Sequence, residues 1–221
     1  RLHVVWDEAI DDKTGQIMYS MYDGASWSTP ATISTATNGT NKANWSARIS
    51  LDTSDIVHVI YNAADYNLRP SANEYYYTRK NGTWSTAEKI SENCVDCQHA
   101  SLAVGPGSTV TVALWGGFPA GNGIWIKRNT GSGWGTPAIK VSAIEDAQYP
   151  KMVVDGTGKL HLTWAAILYD PSTDVLSYRV RYVSSIDGTT WSAPISINST
   201  NISWTWWGLP LVGLTKDSKN N

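Results

Sequence analysis

The chain has 221 residues, a formal net charge of −2 and 42% hydrophobic residues, with 12 Trp and 11 Tyr but a single Phe. A chain of this length suits one folded domain, and near-neutral charge without a basic run excludes the electrostatic footprint of a nucleic-acid binder. No apolar run reaches the roughly 18 residues that a membrane-spanning helix needs.

The chain opens on a short alternating strand, LHVVW from Leu2 to Trp6. A polar loop from Asp7 leads to the hairpin IMYSMYDGASWSTPATIS from Ile17, in which an aromatic-rich strand turns through Asp23-Gly24 into an outer strand anchored by Trp27. The same order then recurs. ARISLD from Ala47 and VHVIY from Val57 precede the hairpin EYYYTRKNGTWSTAEKIS; ASLAV from Ala100 and VTVALW from Val110 precede IWIKRNTGSGWGTPAIKVS; PKMVVD from Pro150 and LHLTW from Leu160 precede YRVRYVSSIDGTTWSAPISI. The chain closes on LPLVGLT from Leu209 and a polar tail. Period-2 alternation bounded by Gly, Asn and Asp reads as strand and turn throughout, and no stretch keeps a 3.6-residue apolar period.

The anchoring tryptophans Trp27, Trp84, Trp134 and Trp191 are spaced by 57, 50 and 57 residues. Four strands repeated at this period are the signature of a β-propeller of four-stranded antiparallel blades around a channel. The expected fold is all-β, one domain over residues 1–221, with repeat units 1–35 joined by 208–221, then 44–92, 99–143 and 147–198. The first and last segments read in register, so Leu209 to Thr215 is expected beside Leu2 to Trp6 in a fourth blade made from both termini, which hides the open edges. The four hairpin tryptophans are expected to be buried between blades, and Trp6, Trp115 and Trp164 to occupy one repeated position in the second strand.

The hairpin turn resembles the Asp-box, or bacterial neuraminidase repeat, of sialidase-like propellers. Ser184-Ser185-Ile186-Asp187-Gly188-Thr189-Thr190-Trp191 is the fullest copy, with Asp187 one place late; Asp23 to Trp27 is a shortened copy, and the turns before Trp84 and Trp134 lack the aspartate. The resemblance implies that aspartate and serine oxygens accept turn amides while the indole plugs the gap between blades. A sialidase of this family would also carry three arginines on the substrate carboxylate and an Arg-Ile-Pro phrase, and the nearest likeness here is Arg48-Ile49-Ser50. Arg79, Arg128, Arg179 and Arg181 fall on third strands, leaving Arg48 and Arg69 for a task that needs three. Binding without catalysis is therefore the leading expectation. The alternatives are an assembly module with no small ligand and a sialidase-like glycoside hydrolase; a different glycosidase would need two carboxyls, which Asp7 with Asp65 or Glu145 could supply.

His3, His58 and His161 hold the same place in separate second strands, which makes them structural and not a metal site. Cys94 and Cys97 lie between the second and third units without a second cysteine pair, so they are expected to form a small disulfide. With N-glycosylation patterns at Asn38, Asn44, Asn81, Asn198 and Asn201, they point to a secreted or surface-exposed chain. Neither cofactor nor metal is implied.

The long connections all fall on one rim, which is where a rigid scaffold presents binding loops. Asp7, Asp65, Arg69, His99, Tyr149 and Trp206 are the candidate ligand-binding residues there. Aromatic rings stack on the apolar faces of pyranoses while acids and amides bond their hydroxyls, so the expected partner is carbohydrate or an extracellular protein. His99 and Tyr149 each immediately precede an inner strand at equivalent places.

Overall fold

The computed structural model describes residues 1–35, 37–67, 72–92, 94–118, 121–135, 138–142, 146–173, 175–198, 202–203 and 213–215. The described residues form four antiparallel sheets and a single short 3₁₀ turn at Pro106–Ser108. Sheet one holds β1 (Leu2–Ala9), β2 (Gly15–Tyr22) and β3 (Ala31–Thr32). Sheet two holds β4 (Lys42–Leu51), β5 (Val57–Asp65), β6 (Ala72–Asn81) and β7 (Thr83–Trp84), with β8 (Glu88–Lys89) also on β6. Sheet three holds β9 (Val95–Val104), β10 (Val110–Phe118), β11 (Gly121–Asn129) and β12 (Ile139–Lys140). Sheet four holds β13 (Asp146–Val154), β14 (Leu160–Asp170), β15 (Val175–Ser185) and β16 (Ile195–Ser196), with β17 (Ile202–Ser203) also on β15. Successive strands pair throughout, as short turns between alternating segments dictate.

The repeat is visible in side-chain hydrogen bonds as well as in strands. At the end of each hairpin a small polar side chain accepts the amide of the third strand: Ser34 from Ile17, Ser91 from Tyr75, Ser142 from Ile124 and Asn198 from Val180, at 2.7–3.0 Å. The residue after each anchoring tryptophan returns its amide to that strand, Ser28 to Met21, Ser85 to Arg79, Gly135 to Arg128 and Ser192 to Ser184. The two aspartates of these turns accept turn amides. Asp23 Oδ1 accepts the Ala25 and Ser26 amides, and Asp187 Oδ1 accepts those of Thr189 and Thr190.

The chain divides into two compact units, residues 1–98 and 99–221. In the first, Ile17, Tyr19 and Ile33 of sheet one pack with Val57, Val59 and Tyr61 of sheet two. In the second, Ala113, Ile124 and Ile126 of sheet three pack with Met152, Leu162, Trp164 and Val183 of sheet four. The hairpin tryptophans follow this packing unevenly. Trp84 sets its indole edge-on against Tyr19 of the preceding sheet, ring centroids 5.0 Å apart, and Trp191 packs on the core of the second unit. Trp27 departs from the expectation: it is 52% exposed, its ring set against Tyr22 of its own hairpin with centroids 5.4 Å apart. Trp84, Trp134 and Trp191 are half-buried.

Three histidines form one repeated structural network. The Nδ1 atoms of His3, His58 and His161 lie 2.7–2.8 Å from the hydroxyls of Tyr19, Tyr77 and Tyr182. On the other ring face of the network, His58 Nε2 is 3.5 Å from Asp52 and His161 Nε2 is 3.0 Å from Asp155. Burial pushes the His3 and His58 rings down in pKa and the Tyr77 hydroxyl up to about 12. Sheet three carries Thr111 and Ile126 at the histidine and tyrosine places, so the two partners are replaced together.

Two sequence assignments need correction. The first strands of sheets two, three and four begin several residues earlier than their apolar alternation indicated; a bulge shifts the register between Trp45 and Arg48 and between Gln148 and Lys151, and in sheet three His99 takes a φ of 45°. Trp115 is not equivalent to Trp6 and Trp164. Leu114 pairs with Trp125 as Trp6 pairs with Met18, so Leu114 holds that place and Trp115 projects to the opposite face with Asp7, Asn62 and Ala165. The expected join of Leu209 to Thr215 with Leu2 to Trp6 lies mostly outside the described residues.

Candidate functional site

The bulges in the first strands are the local feature that creates a site. Ser46, His99 and Tyr149 sit at corresponding places in β4, β9 and β13 with φ of 55°, 45° and 55°. Left-handed backbone at a residue with a side chain costs of order 1–3 kcal/mol and persists only where the surroundings hold it. The two units hold it differently.

In the first unit the bulge is closed by hydrogen bonds. Asp7, near the end of β1, accepts the Ser46 amide at 2.9 Å and the Ala47 amide at 3.3 Å, using both carboxylate oxygens. At the corresponding place in β5, Asn62 is buried and donates Nδ2 to the Cys97 carbonyl at 2.9 Å. Cys97 is joined to Cys94 by the expected disulfide, their Cα atoms 5.8 Å apart. Asp65, the last residue of β5, accepts both the backbone amide and Nδ2 of Asn67 and pairs with Lys42 at 3.4 Å. The Asn67 amide and then Lys42 hold its carboxyl below the ordinary aspartate range. Arg48 gives Nη1 to the Ala47 carbonyl.

The connection after β3 is pinned in the same manner. Asn44 donates to the Gly15 carbonyl and to Asn38 Oδ1, and Thr37 Oγ1 lies 2.7 Å from Asn44 Oδ1 and 3.2 Å from the Tyr61 hydroxyl. Asn44 is 2% exposed, so its glycosylation pattern serves the fold and not a glycan. Asn198 is likewise committed, to the Val180 amide, whereas Asn81 is exposed.

In the second unit the bulges carry rings. His99 and Tyr149 bring their ring centroids to 4.4 Å at an interplanar angle of 45°, and Trp115 stands 6.0 Å from His99. All three are half-buried. Burial raises the Tyr149 hydroxyl above its ordinary pKa, so it is a neutral donor near neutral pH. The Trp115 Nε1 hydrogen is buried without a protein partner. Two sequence candidates, His99 and Tyr149, are thus brought together, and Trp115 joins them. It was missed because VTVALW is one residue longer than LHVVW, a difference that decides which face the indole takes. Asp7 and Asp65 stand apart in the first unit, and Arg69 and Trp206 lie outside the described residues.

Among the described residues no three His, Cys, Asp or Glu side chains are placed to hold a metal ion. No helix among them is long and apolar enough to cross a membrane. A half-buried patch of imidazole, phenol and indole is suited to hold a pyranose by ring stacking and by hydrogen bonds of the phenol hydroxyl.

No protein-family profile matches the chain, and no curated protein sequence matches it. Solved structures do resemble it in fold. A protein of unknown function from Dyadobacter fermentans aligns with a TM-score of 0.60 at 10% identity over 85% of this chain and 60% of its own. The Hadza microbial sialidase Hz136 aligns with a TM-score of 0.53 at 12% identity over 90% of this chain and 56% of its own. The Aleuria aurantia lectin, solved as an N224Q mutant with α-methyl-L-fucoside, aligns with a TM-score of 0.50 at 17% identity over 89% of this chain and 60% of its own. The chain therefore spans a little over half the length of each. At these identities the likeness is one of fold, and the fold is of the β-propeller type.

Proposed function

We propose that this chain is a non-catalytic carbohydrate-binding propeller module, acting outside the reducing cytosol, whose ligand rests on the ring cluster of His99, Tyr149 and Trp115. The observation that carries the reading is the meeting of two aromatic side chains, 4.4 Å apart, at two separate positions of strained backbone. Strain of this kind collects at binding and catalytic sites, where it holds side chains in an orientation the relaxed chain would not adopt. A sugar ring laid against His99 and Trp115 would find a donor in the Tyr149 hydroxyl.

The fold likeness to a fucoside-binding lectin and to a sialidase agrees with carbohydrate as the ligand class. Binding is preferred over hydrolysis because the described side chains of the cluster are an imidazole, a phenol and an indole, with no pair of carboxylates among them. The disulfide agrees with an oxidising compartment. Closure of a fourth blade by both termini remains part of the proposal, since it would place all the long connections around one channel mouth.

A glycan array read with the whole chain, followed by titration of any hit against tryptophan fluorescence, tests the assignment. Saturable binding that His99→Ala and Tyr149→Ala each weaken by about tenfold or more, one lost stacking or hydrogen-bonding contact, is expected. Binding untouched by changing His99, Tyr149 and Trp115 together would overturn it.

A further inference from the structure

At the end of sheet three away from the β10–β11 turn, the turn after β11 and the turn after β15 border an open-sided cavity of about 330 Å³. Arg128, Thr130, Ser132, Trp134, Ile139 and Thr189 line it. The volume falls within the range of small-molecule sites, about 300–1,000 Å³. The sequence accounts for this region only as turn architecture, and the ring cluster around His99 uses none of these residues.

Arg128 is the unexplained group. Its Nε is buried without a hydrogen-bond partner, and no ion pair or hydrogen bond of its guanidinium occurs among the described residues. Gly188, whose φ of 68° favours glycine, packs directly on this group: a Cβ there would lie 2.5 Å from Arg128 Nε and 2.8 Å from Cδ, so the 187–189 turn lies against the guanidinium. Among the described residues no carboxylate lines the cavity. A cation partly withdrawn from water and left without a counter-charge is costly, and the group that relieves the cost best is a carboxylate, which meets the guanidinium fork with two parallel hydrogen bonds.

The remaining lining adds sugar chemistry to the charge. Thr130, Ser132 and Thr189 bring hydroxyls, and Trp134 brings an indole to the same wall. We propose that this cavity is a second binding site, distinct from the ring cluster, for a carboxylate-bearing sugar of the hexuronate class. The carboxylate seats on Arg128, the ring lies along Trp134, and the hydroxyls meet Thr130, Ser132 and Thr189. The proposal does not depend on the ring cluster binding anything.

Heteronuclear NMR of the whole chain titrated with methyl glucuronide, methyl glucoside and acetate in parallel tests it. Saturable shifts of the Gly133 and Gly188 amides and the Trp134 indole are expected with glucuronide alone. Arg128→Gln removes the fork, and Ser132→Asp places a repelling charge at an exposed position where the fold is not at risk; each should weaken glucuronide binding about tenfold or more. The proposal is overturned if glucuronide gives no saturable shift by about 20 mM, a very weak affinity for a small-molecule site. Equal shifts with glucoside or acetate, or full affinity in Ser132→Asp, overturn it too. Shifts confined to His99, Trp115 and Tyr149 would overturn this site and leave the ring-cluster reading standing.

Discussion

The same backbone device serves opposite ends in the two units. At Ser46 the left-handed bulge is stitched to Asp7 by two amide hydrogen bonds, and the side chain at the bulge is small and polar. At His99 and Tyr149 the bulges present large rings that meet each other. In the first unit the polar groups near the long connections are committed internally: Asp65 to Asn67 and Lys42, Asn44 to Gly15 and Asn38, Asn62 to Cys97. The difference teaches where to look for ligand chemistry, because a donor or acceptor already satisfied inside the fold has little left to offer a partner.

Substitutions that load the first unit's internal network should break it hardest. Asp52 has a fully buried side chain that accepts the Ser54 and Ile56 amides at 2.8 and 2.9 Å and faces His58. Asp52→Ala should cost about 3–5 kcal/mol in denaturant unfolding, since it strands a buried ring and two amides. Asp155→Ala, at the less deeply buried counterpart in the second unit, should cost less. Equal losses would erase the contrast between the units at this position. The pH dependence follows from His58. Burial lowers its folded pKa, so its neutral form is favoured in the fold while the unfolded chain takes up the proton first. Stability from this residue is complete above the unfolded value near 6.5 and is lost as pH falls below it, and His58→Gln should flatten that slope.

Next in size are the hairpin tryptophans. Trp84→Ala should cost about 3 kcal/mol, the low end for large aromatic deletions because the ring is half-buried against Tyr19. Trp27→Ala should cost under about 1 kcal/mol, as exposed positions do. Thermal melts of the two variants side by side decide it. A large loss at Trp27 would mean that the ring is covered in the folded chain in solution.

How far these residues were legible in sequence depends on what carries the information. The strands, the repeat, the disulfide and the structural role of the histidines were readable because each rests on local pattern: alternation, a fixed tryptophan spacing, a Cys-x-x-Cys loop, a repeated strand position. The bulges were not. A residue in left-handed backbone breaks the period of 2 without any sequence mark unless it is glycine, so Lys42 to Ser46 and Val95 to His99 read as loop. The misplacement of Trp115 has the same root, since a shift of one residue exchanges the faces of a strand. Of the candidate ligands, His99 and Tyr149 were found through repeat equivalence. Asp7 and Asp65 are legible in sequence only as acids near a loop, a pattern that carries no sign of the backbone amides that occupy them.

Asp7→Ala then measures how much the carboxylate holds. Loss of two amide partners at a strained bulge should destabilise the chain by about 1–2 kcal/mol, and Asp7→Asn, which keeps one acceptor, should recover part of it. Ligand binding at His99 and Tyr149 should be unchanged in both. A binding defect without a stability defect would move Asp7 from scaffold to site and remove the distinction between the units.

The smallest effect carries the most information about function. Replacing a residue in left-handed backbone by glycine relieves strain, and the relief exceeds the chain entropy that glycine adds only if the side chain contributes little to packing. At Ser46, whose side chain is small, Ser46→Gly should stabilise by about 0.5–1 kcal/mol. For His99 the two readings of the residue separate. If the ring is packing, His99→Gly forfeits its contacts with Tyr149 and Trp115 and the protein loses stability despite the relieved backbone. If the ring is held in strain for a ligand, the variant should be as stable as the parent or slightly more so, by up to about 0.5 kcal/mol, while binding falls about tenfold or more. Chemical denaturation and ligand titration on the same preparation read both quantities. A loss of more than about 1 kcal/mol would place His99 in the core and return the ring cluster to architecture.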